Sequence, residues 1–280
     1  MNKVRIVTDS TVDLQEEVLK EYDIEVVPLS IHINGETYLD RKDITPVQFM
    51  KKMKESEELP KSSQPPAGVF LELYDRLTDE GYDILSIHMT GGMSGTVQSA
   101  ESAASMAKGN VKVVDSRYIS KALAFQVIEA AKMAKNGSSI EEICSKLDEI
   151  RAKTKLFVVV DTLENLVKGG RIGRGKALLG SLLNIKPIAS LEDGVYTPVA
   201  KVRSHAQIVK YLANQFAEDA KGKTIKSVGL VHAEGFELAS KLRTAIEELT
   251  GYTNISIEDT TPIVSTHTGA GAIGFMYYLD

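Results

Sequence analysis

The chain has 280 residues, 43% of them hydrophobic and 25% charged, with a formal net charge of −5. That size allows two compact domains or one large one, and the composition is that of a folded globular chain. An acidic balance with no basic, aromatic-interleaved patch argues against nucleic acid as a partner, and the single cysteine, Cys144, excludes an intrachain disulfide.

In chain order, "VRIVTDS" reads as a first strand, after which Asp13 is placed to N-cap the helical "LQEEVLKEY". "EVVPLSIHI" follows as a strand, and Asn34-Gly35 signals a hairpin into "ETYLD". Thr45-Pro46 opens a helix, with proline at its favoured first position. "SEELPKSSQPP" reads as a loop and "AGVFLELYDRLTDEG" as a helix. "DILSIHM" is a strand, "TGGMSGT" a loop and "VQSAESAASMAK" a helix of small residues. After the strand "VKVVDS", two long helices run to about Lys153. The second of them carries Cys144 at helical apolar spacing, which predicts a buried structural thiol. Strands joined by crossover helices predict a largely parallel sheet with helices on both faces.

The second half has a different texture. "KLFVVVDT" is a strand followed by the glycine-rich "KGGRIGRGKALLGSLLN", and "KPIASLEDGVYTPVAKV" is a hairpin about a Glu-Asp-Gly turn. Ser204 with Gln207 signals a capping box for "HAQIVKYLANQFAEDA". "KSVGLVHA", a helix from Gly235 to Leu249 and "ISIEDTTPIVS" complete a mixed-sheet pattern. The change of texture places a boundary near 152–155. No apolar run approaches the ~18 residues of a membrane span, and the N-terminus lacks a signal-peptide core. A cytoplasmic protein without stable membrane insertion is expected.

Two glycine motifs fail their context. Gly269, Gly271 and Gly274 in "HTGAGAIGFMYYLD" have the G-x-G-x-x-G spacing of a dinucleotide turn. Only six residues follow Gly274, too few for the βαβ unit that such a turn opens. Gly170, Gly175 and Lys176 satisfy G-x-x-x-x-G-K, but Ala177 stands where a hydroxyl should hold Mg²⁺. The same segment does concentrate Lys168, Arg171, Arg174 and Lys176. This is either a solvated loop or a docking site for an anionic group or partner.

Three loops, "KSSQPP", "TGGMSGT" and "STHTGAG", combine hydroxyls with glycine or proline beside helix starts. Helix N-termini offer free N–H groups and partial positive charge, so hydroxyls there suit a carboxylate or phosphate. Ser62 and Ser63 precede one helix, and Ser94, Gly95 and Thr96 open another. Capping is the competing role for each serine. His267 stands between Thr266 and Thr268 beside the glycines. His32, His88, His205 and His232 lie in strand or helix patterns with no metal-ligand spacing, and no Ser-His-Asp set is assignable.

"VTDSTVDL", "SSQPP", "MSGTVQSA", "DTLENLVKGGRIGRGKALLGSLLNIKPI", "KVR" and "HTGAGAIG", in that order, resemble the DegV family of bacterial lipid-binding proteins over nearly the whole chain. The family more often has threonine at Ser62 and proline at Ala270, changes that leave the hydroxyl and the glycines in place. The resemblance implies an α/β fold of two domains. A parallel α/β/α domain would span 1–153, and a mixed-sheet α/β domain that holds the lipid would span 154–280. It further implies a long-chain fatty acid with its carboxylate at the cleft between them. The chain would then be the non-catalytic, fatty-acid-binding subunit of a bacterial fatty acid kinase. A separate ATP-dependent kinase subunit resembling dihydroxyacetone kinase would phosphorylate the carboxylate, and the acyl phosphate would feed phospholipid synthesis.

Carried over by position, Ser62, Ser94, Gly95, His267 and Arg203 would hold the carboxylate, with Ser63, Thr96 and Thr268 as secondary contacts. Arg171 and Arg174 would serve kinase docking or phosphate transfer. No metal and no cofactor other than the lipid is expected. Residues of "ALLGSLLNI" and "LFVVV" would line the tail, among others that are simply core. The alternative is a stand-alone phosphotransferase or hydrolase acting on a small anionic or carbonyl substrate through His267.

Overall fold

The computed structural model describes residues 3–179 and 185–280. Strand β1 (Lys3–Asp9) is buried over its last four residues, as befits a central strand covered on both faces. Helix α1 (Glu16–Glu21) crosses to β2 (Glu25–Val27), which pairs with β1 in parallel. Asp13 does not cap α1, whose N-cap is Gln15. It is buried instead, and its carboxylate accepts hydrogen bonds from Thr260 and Thr261 near the other end of the chain. A capping position read from local sequence was overridden by a long-range contact.

The single strand expected from "EVVPLSIHI" is broken at Pro28, which has no N–H to continue a ladder. β3 (Ser30–Ile33) leaves the parallel sheet and pairs antiparallel with β4 (Glu36–Leu39) through the Asn34-Gly35 turn. Both turn residues have positive φ, 52° and 77°, as a two-residue hairpin of matching twist requires. Helix α2 (Pro46–Glu55) starts in a complete capping box between Thr45 and Gln48. The segment read as a loop then contains β5 (Lys61–Ser63), which completes a three-stranded sheet of order β4-β3-β5.

Helix α3 (Ala67–Asp79), β6 (Tyr82–His88), α4 (Thr96–Ala104) and β7 (Val111–Asp115) follow in crossover order. They complete a four-stranded parallel sheet, β2-β1-β6-β7, as the alternation of elements predicted. Helices α3 and α4 cover one face with Phe70, Tyr74, Leu77, Ala100 and Ala103. The other face receives α5 (Ser120–Lys135), beside α6 (Ile140–Lys153). Cys144 on α6 is half-buried rather than fully buried, packed against the main core, and burial raises its thiol pKa.

From β8 (Thr154–Val159) onward every strand enters one six-stranded mixed sheet. Helix α7 (Glu164–Lys168) and a 3-10 turn (Gly173–Leu178) precede the hairpin of β9 (Lys186–Glu192) and β10 (Val195–Val202). Helix α8 (His205–Asp219) is capped by the Ser204 hydroxyl. Gln207 returns its side chain to the N–H of Arg203 rather than Ser204, so the predicted capping box is half formed. β11 (Ile225–Ala233), α9 (Phe236–Thr250), β12 (Ser256–Asp259), α10 (Pro262–Thr268) and β13 (Ala272–Leu279) close the chain. The sheet order is β10-β9-β8-β13-β11-β12. "TPIVSTHT", read in part as strand and in part as loop, is the short helix α10, started by Pro262 at its first position.

Sheet membership changes at Thr154, but the interior does not divide there. Helix α5 packs against β1 of the parallel sheet and against β11 and β13 of the mixed one. The largest apolar cluster accordingly runs from Ile6 and Leu85 through Leu123 and Val127 to Ala233 and Tyr278. The halves meet along this shared layer, and the site described next lies on their seam.

Candidate functional site

An apolar cavity lies between the halves, with about 670 Å³ of empty space counting its part open to solvent. Met89, Met93 and Ile119 line it from the first half, and Val158, Leu191 and Tyr196 from the second. A second apolar cavity of about 370 Å³ shares Ile119, Val158, Val264 and Thr268 with it and reaches under β13 to Ala272 and Met276. A polar cleft adjoins the cavity, with about 1,250 Å³ of empty space counting its part open to solvent, and is bordered by Glu57, Glu58, Lys61, Glu164 and Lys168. Cavity and cleft have Ser62, Arg171 and His267 in common. These three side chains form a polar neck between an apolar interior and an open, charged entrance.

Ser62 reaches the neck because β5 is a strand. Successive side chains point to opposite faces, so Ser62 turns inward and Ser63 turns outward. Ser63 bonds the exposed His32 Nε2 at 2.9 Å and lines neither the cavity nor the cleft. His267 lies in the last turn of α10, so its loop does not stand at a helix N-terminus as the glycine pattern suggested. Its Nε2 meets Ser62 Oγ at 2.7 Å, while Nδ1 is buried without a partner among the described residues. Burial, with the Arg171 guanidinium adding to it, pushes the His267 pKa down to about 4. The ring is therefore neutral at pH 7. No described carboxylate orients it, which weighs against His267 as a catalytic base.

Arg171 donates from Nε to the Met93 carbonyl at 3.0 Å and from Nη1 to the Gly169 carbonyl at 2.5 Å. Both acceptors are neutral, and partial burial lowers its pKa. The sequence assigned Arg171 to kinase docking or phosphate transfer; the fold places it at the neck beside His267. Arg174 is at the surface in ion pairs with Glu192 at 3.3 Å and Asp193 at 3.8 Å. Arg203 stands apart from the neck. It follows the edge strand β10, is exposed, and lines neither the cavity nor the cleft.

Ser94 lines the cavity, and its hydroxyl meets Thr96 Oγ1 at 2.8 Å. Thr96 itself is fully buried behind it and does not reach the cavity wall. Gly95 is also set back, because the Gln64 side chain lies across it. A Cβ on Gly95 would stand 2.4 Å from the Gln64 amide nitrogen. Gln64, present in the "SSQPP" segment but given no role from the sequence, is thus a wall residue. Thr268 lines both apolar cavities, yet its hydroxyl donates to the Val264 carbonyl of its own helix at 3.1 Å. Of the expected tail-lining segments, Val158 of "LFVVV" is on the wall, whereas "ALLGSLLNI" falls mostly on residues 180–184, outside the described residues.

The structure also contains a Ser-His-Asp series that sequence spacing did not reveal. Asp9 Oδ2 lies 3.1 Å from His88 Nδ1, and His88 Nε2 lies 2.7 Å from Ser86 Oγ, which accepts from the Tyr74 hydroxyl. All four side chains are fully buried, so Ser86 cannot meet a substrate. Burial raises the Asp9 pKa, but His88, Thr11 and the Met89 amide outweigh it and hold the carboxyl below its ordinary value. Asp9 accepts from the Thr11 hydroxyl and the Met89 N–H, and thereby braces two residues of the cavity wall.

Residues 3–280 match the family model described as uncharacterised protein, DegV family. The chain belongs to the DegV family. A DegV domain-containing protein of Listeria monocytogenes is 48% identical over 100% of both chains. Among solved structures, a fatty-acid-binding DegV family protein from Thermus thermophilus superposes with a TM-score of 0.92 at 32% identity, covering 99% of each chain. DegV of Bacillus subtilis, described as a fatty acid binding protein, superposes with a TM-score of 0.91 at 32% identity over 100% of each. The two-domain DegV fold expected from the sequence is thus present.

Proposed function

We propose that this DegV protein binds a long-chain fatty acid in the apolar cavity, with the carboxylate at Ser62, His267 and Arg171. One observation carries the reading: those three side chains are common to the cavity and the polar cleft. An acyl chain needs an apolar lining, and each buried CH₂ contributes about 0.8 kcal/mol. A buried carboxylate needs compensating donors. The Ser62 hydroxyl, the imidazole N–H and an arginine with only neutral acceptors supply them, and hydrogen bonds to an ion are the stronger kind. The fatty-acid-binding relatives at 32% identity support the same reading.

The second part of the proposal is presentation to a separate ATP-dependent kinase. A carboxylate at the neck faces the cleft, from which a kinase could approach. A carboxylate oxygen would attack the γ-phosphorus of ATP held by the kinase, and ADP would leave. The chain itself would do no chemistry. Among the described residues no helix is long and apolar enough to cross a membrane, and no His/Cys/Asp/Glu group is arranged to hold a metal ion.

Protein purified from a bacterial host should carry fatty acid, detectable by denaturation, organic extraction and mass spectrometry. Empty protein that also fails to bind added oleate or palmitate would sink the reading. Kinase presentation is tested separately, by acyl phosphate formation from the loaded protein, ATP and a cognate kinase. Absence of product from a kinase active on other loaded carriers would remove that part alone.

A further inference from the structure

We propose that Asp13 and Asp40 are positioning residues for His267, holding the short helix that carries it by the helix's opposite end. The task assigned to His267 rests on the head-group reading above; the connection itself rests on contacts within this chain.

Helix α10 has Thr261 as N-cap and Pro262 at its first position, with no side-chain cap of its own. Its early amides are taken by two carboxylates remote in sequence. The Thr261 N–H donates to Asp13 Oδ1 at 3.1 Å, across 248 residues, and the Ile263 N–H donates to Asp40 Oδ1 at 3.3 Å, across 223. Asp13 also accepts on Oδ2 from the hydroxyls of Thr260 and Ser120. A single side chain from the loop after β1 therefore ties the start of α10 to the start of α5. Both aspartates are almost fully buried, at 5% and 1% exposure. The first N–H groups of a helix have no partner within it, and a carboxyl oxygen satisfies one whether or not the group is ionised.

The consequence lies at the other end. Seven residues at ~1.5 Å each make α10 about 10 Å long, so it moves as one piece. His267 is in its last turn, while Ser62 belongs to β5 in the other half of the chain. The 2.7 Å Ser62–His267 bond therefore crosses the same seam as the two aspartate bonds. Hydrogen bonds fail within a few tenths of an ångström past their usual range, so a helix slipping by about an ångström would part the pair. The carboxylates that fix one end of α10 thus set the ring at the other.

The test uses Asp13→Ala, Asp40→Ala, Asp13→Asn and Asp40→Asn in the full chain. Alanine removes the acceptors, and asparagine leaves a neutral acceptor of similar shape. The ring-nitrogen NMR signals of His267, recorded without ligand, report its bond to Ser62. We expect the signals to move most in the alanine variants and less in the asparagine variants. Oleate affinity should fall roughly three- to tenfold in alanine, with asparagine between it and wild type, as for the loss of one hydrogen bond. Folded alanine variants with wild-type signals and wild-type affinity overturn the proposal. Should alanine prevent folding, the asparagine variants decide by the same two readouts. Wild-type protein that binds no oleate would defeat the head-group reading, while the NMR comparison would still decide whether these aspartates position the ring.

Discussion

Gly169 and His267 share one space: a Cβ on Gly169 would stand 2.4 Å from His267 Nδ1 and 2.8 Å from the Asn165 carbonyl. Gly169 has ordinary helical φ, so the absence of a side chain serves close approach and not an unusual backbone. The end of α7 is thereby packed directly against the imidazole. Gly169→Ala should push the ring from Ser62, weaken oleate binding and cost about 1–3 kcal/mol of stability through overpacking. Isothermal titration with oleate and urea unfolding check both; unchanged affinity would show that the ring does not contact the head group.

Arg171 and Arg174 are three positions apart but differ in surroundings. Arg171 stands at the neck on neutral acceptors, and Arg174 is engaged at the surface by Glu192 and Asp193. Arg171→Ala should weaken oleate binding by roughly tenfold or more, as for a hydrogen bond to a charged group worth ~1.5–3 kcal/mol. Arg174→Ala should leave affinity unchanged. Equal effects from the two would contradict a carboxylate at the neck.

His267 and Asp40 impose opposite pH dependences. His267 titrates near 4 in the folded protein against an ordinary 6.5, so the unfolded chain binds the extra proton between those values. Its contribution to stability is lost as pH falls through that window. Asp40 is pushed by burial from 3.8 up to about 7, so the folded chain holds the extra proton there. Its contribution is lost as pH rises. Relative to wild type, His267→Gln should gain stability as pH drops from 6.5 to 4, and Asp40→Asn as pH rises from 4 to 7. Urea titrations across this range measure both, and a difference from wild type that stays flat with pH would contradict the assignment.

The second apolar cavity gives a handle on chain length. It shares four wall residues with the first, and Ala272 lines only the second. Ala272→Leu fills space there without touching the neck. In competition binding it should penalise stearate more than laurate. An equal penalty on both acids would show that the tail stops in the first cavity.

Much of the fold was legible because local chemistry and tertiary structure agree. Thr45-Pro46, Asn34-Gly35 and Asp193-Gly194 each do locally what their residue types favour. The failures have two causes. Asp13 left its expected capping role for Thr260 and Thr261, Pro28 diverted a strand into a third sheet, and "TPIVSTHT" became a helix. In each case a distant partner, or a residue unable to donate, outweighed local pattern.

By itself the sequence determined the crossover order of strands and helices, the exclusion of dinucleotide and Walker-type sites, and the hydroxyl-rich segments carrying Ser62, Ser94 and His267. Those depend on spacing and residue type, which are properties of the chain alone. Only the tertiary structure decided which of them meet. Strand alternation at β5 turned Ser62 inward and Ser63 outward, an edge strand left Arg203 in solvent, and burial brought Arg171 to His267. A site formed between residues about 200 positions apart is set by packing across a seam, and no local spacing encodes that.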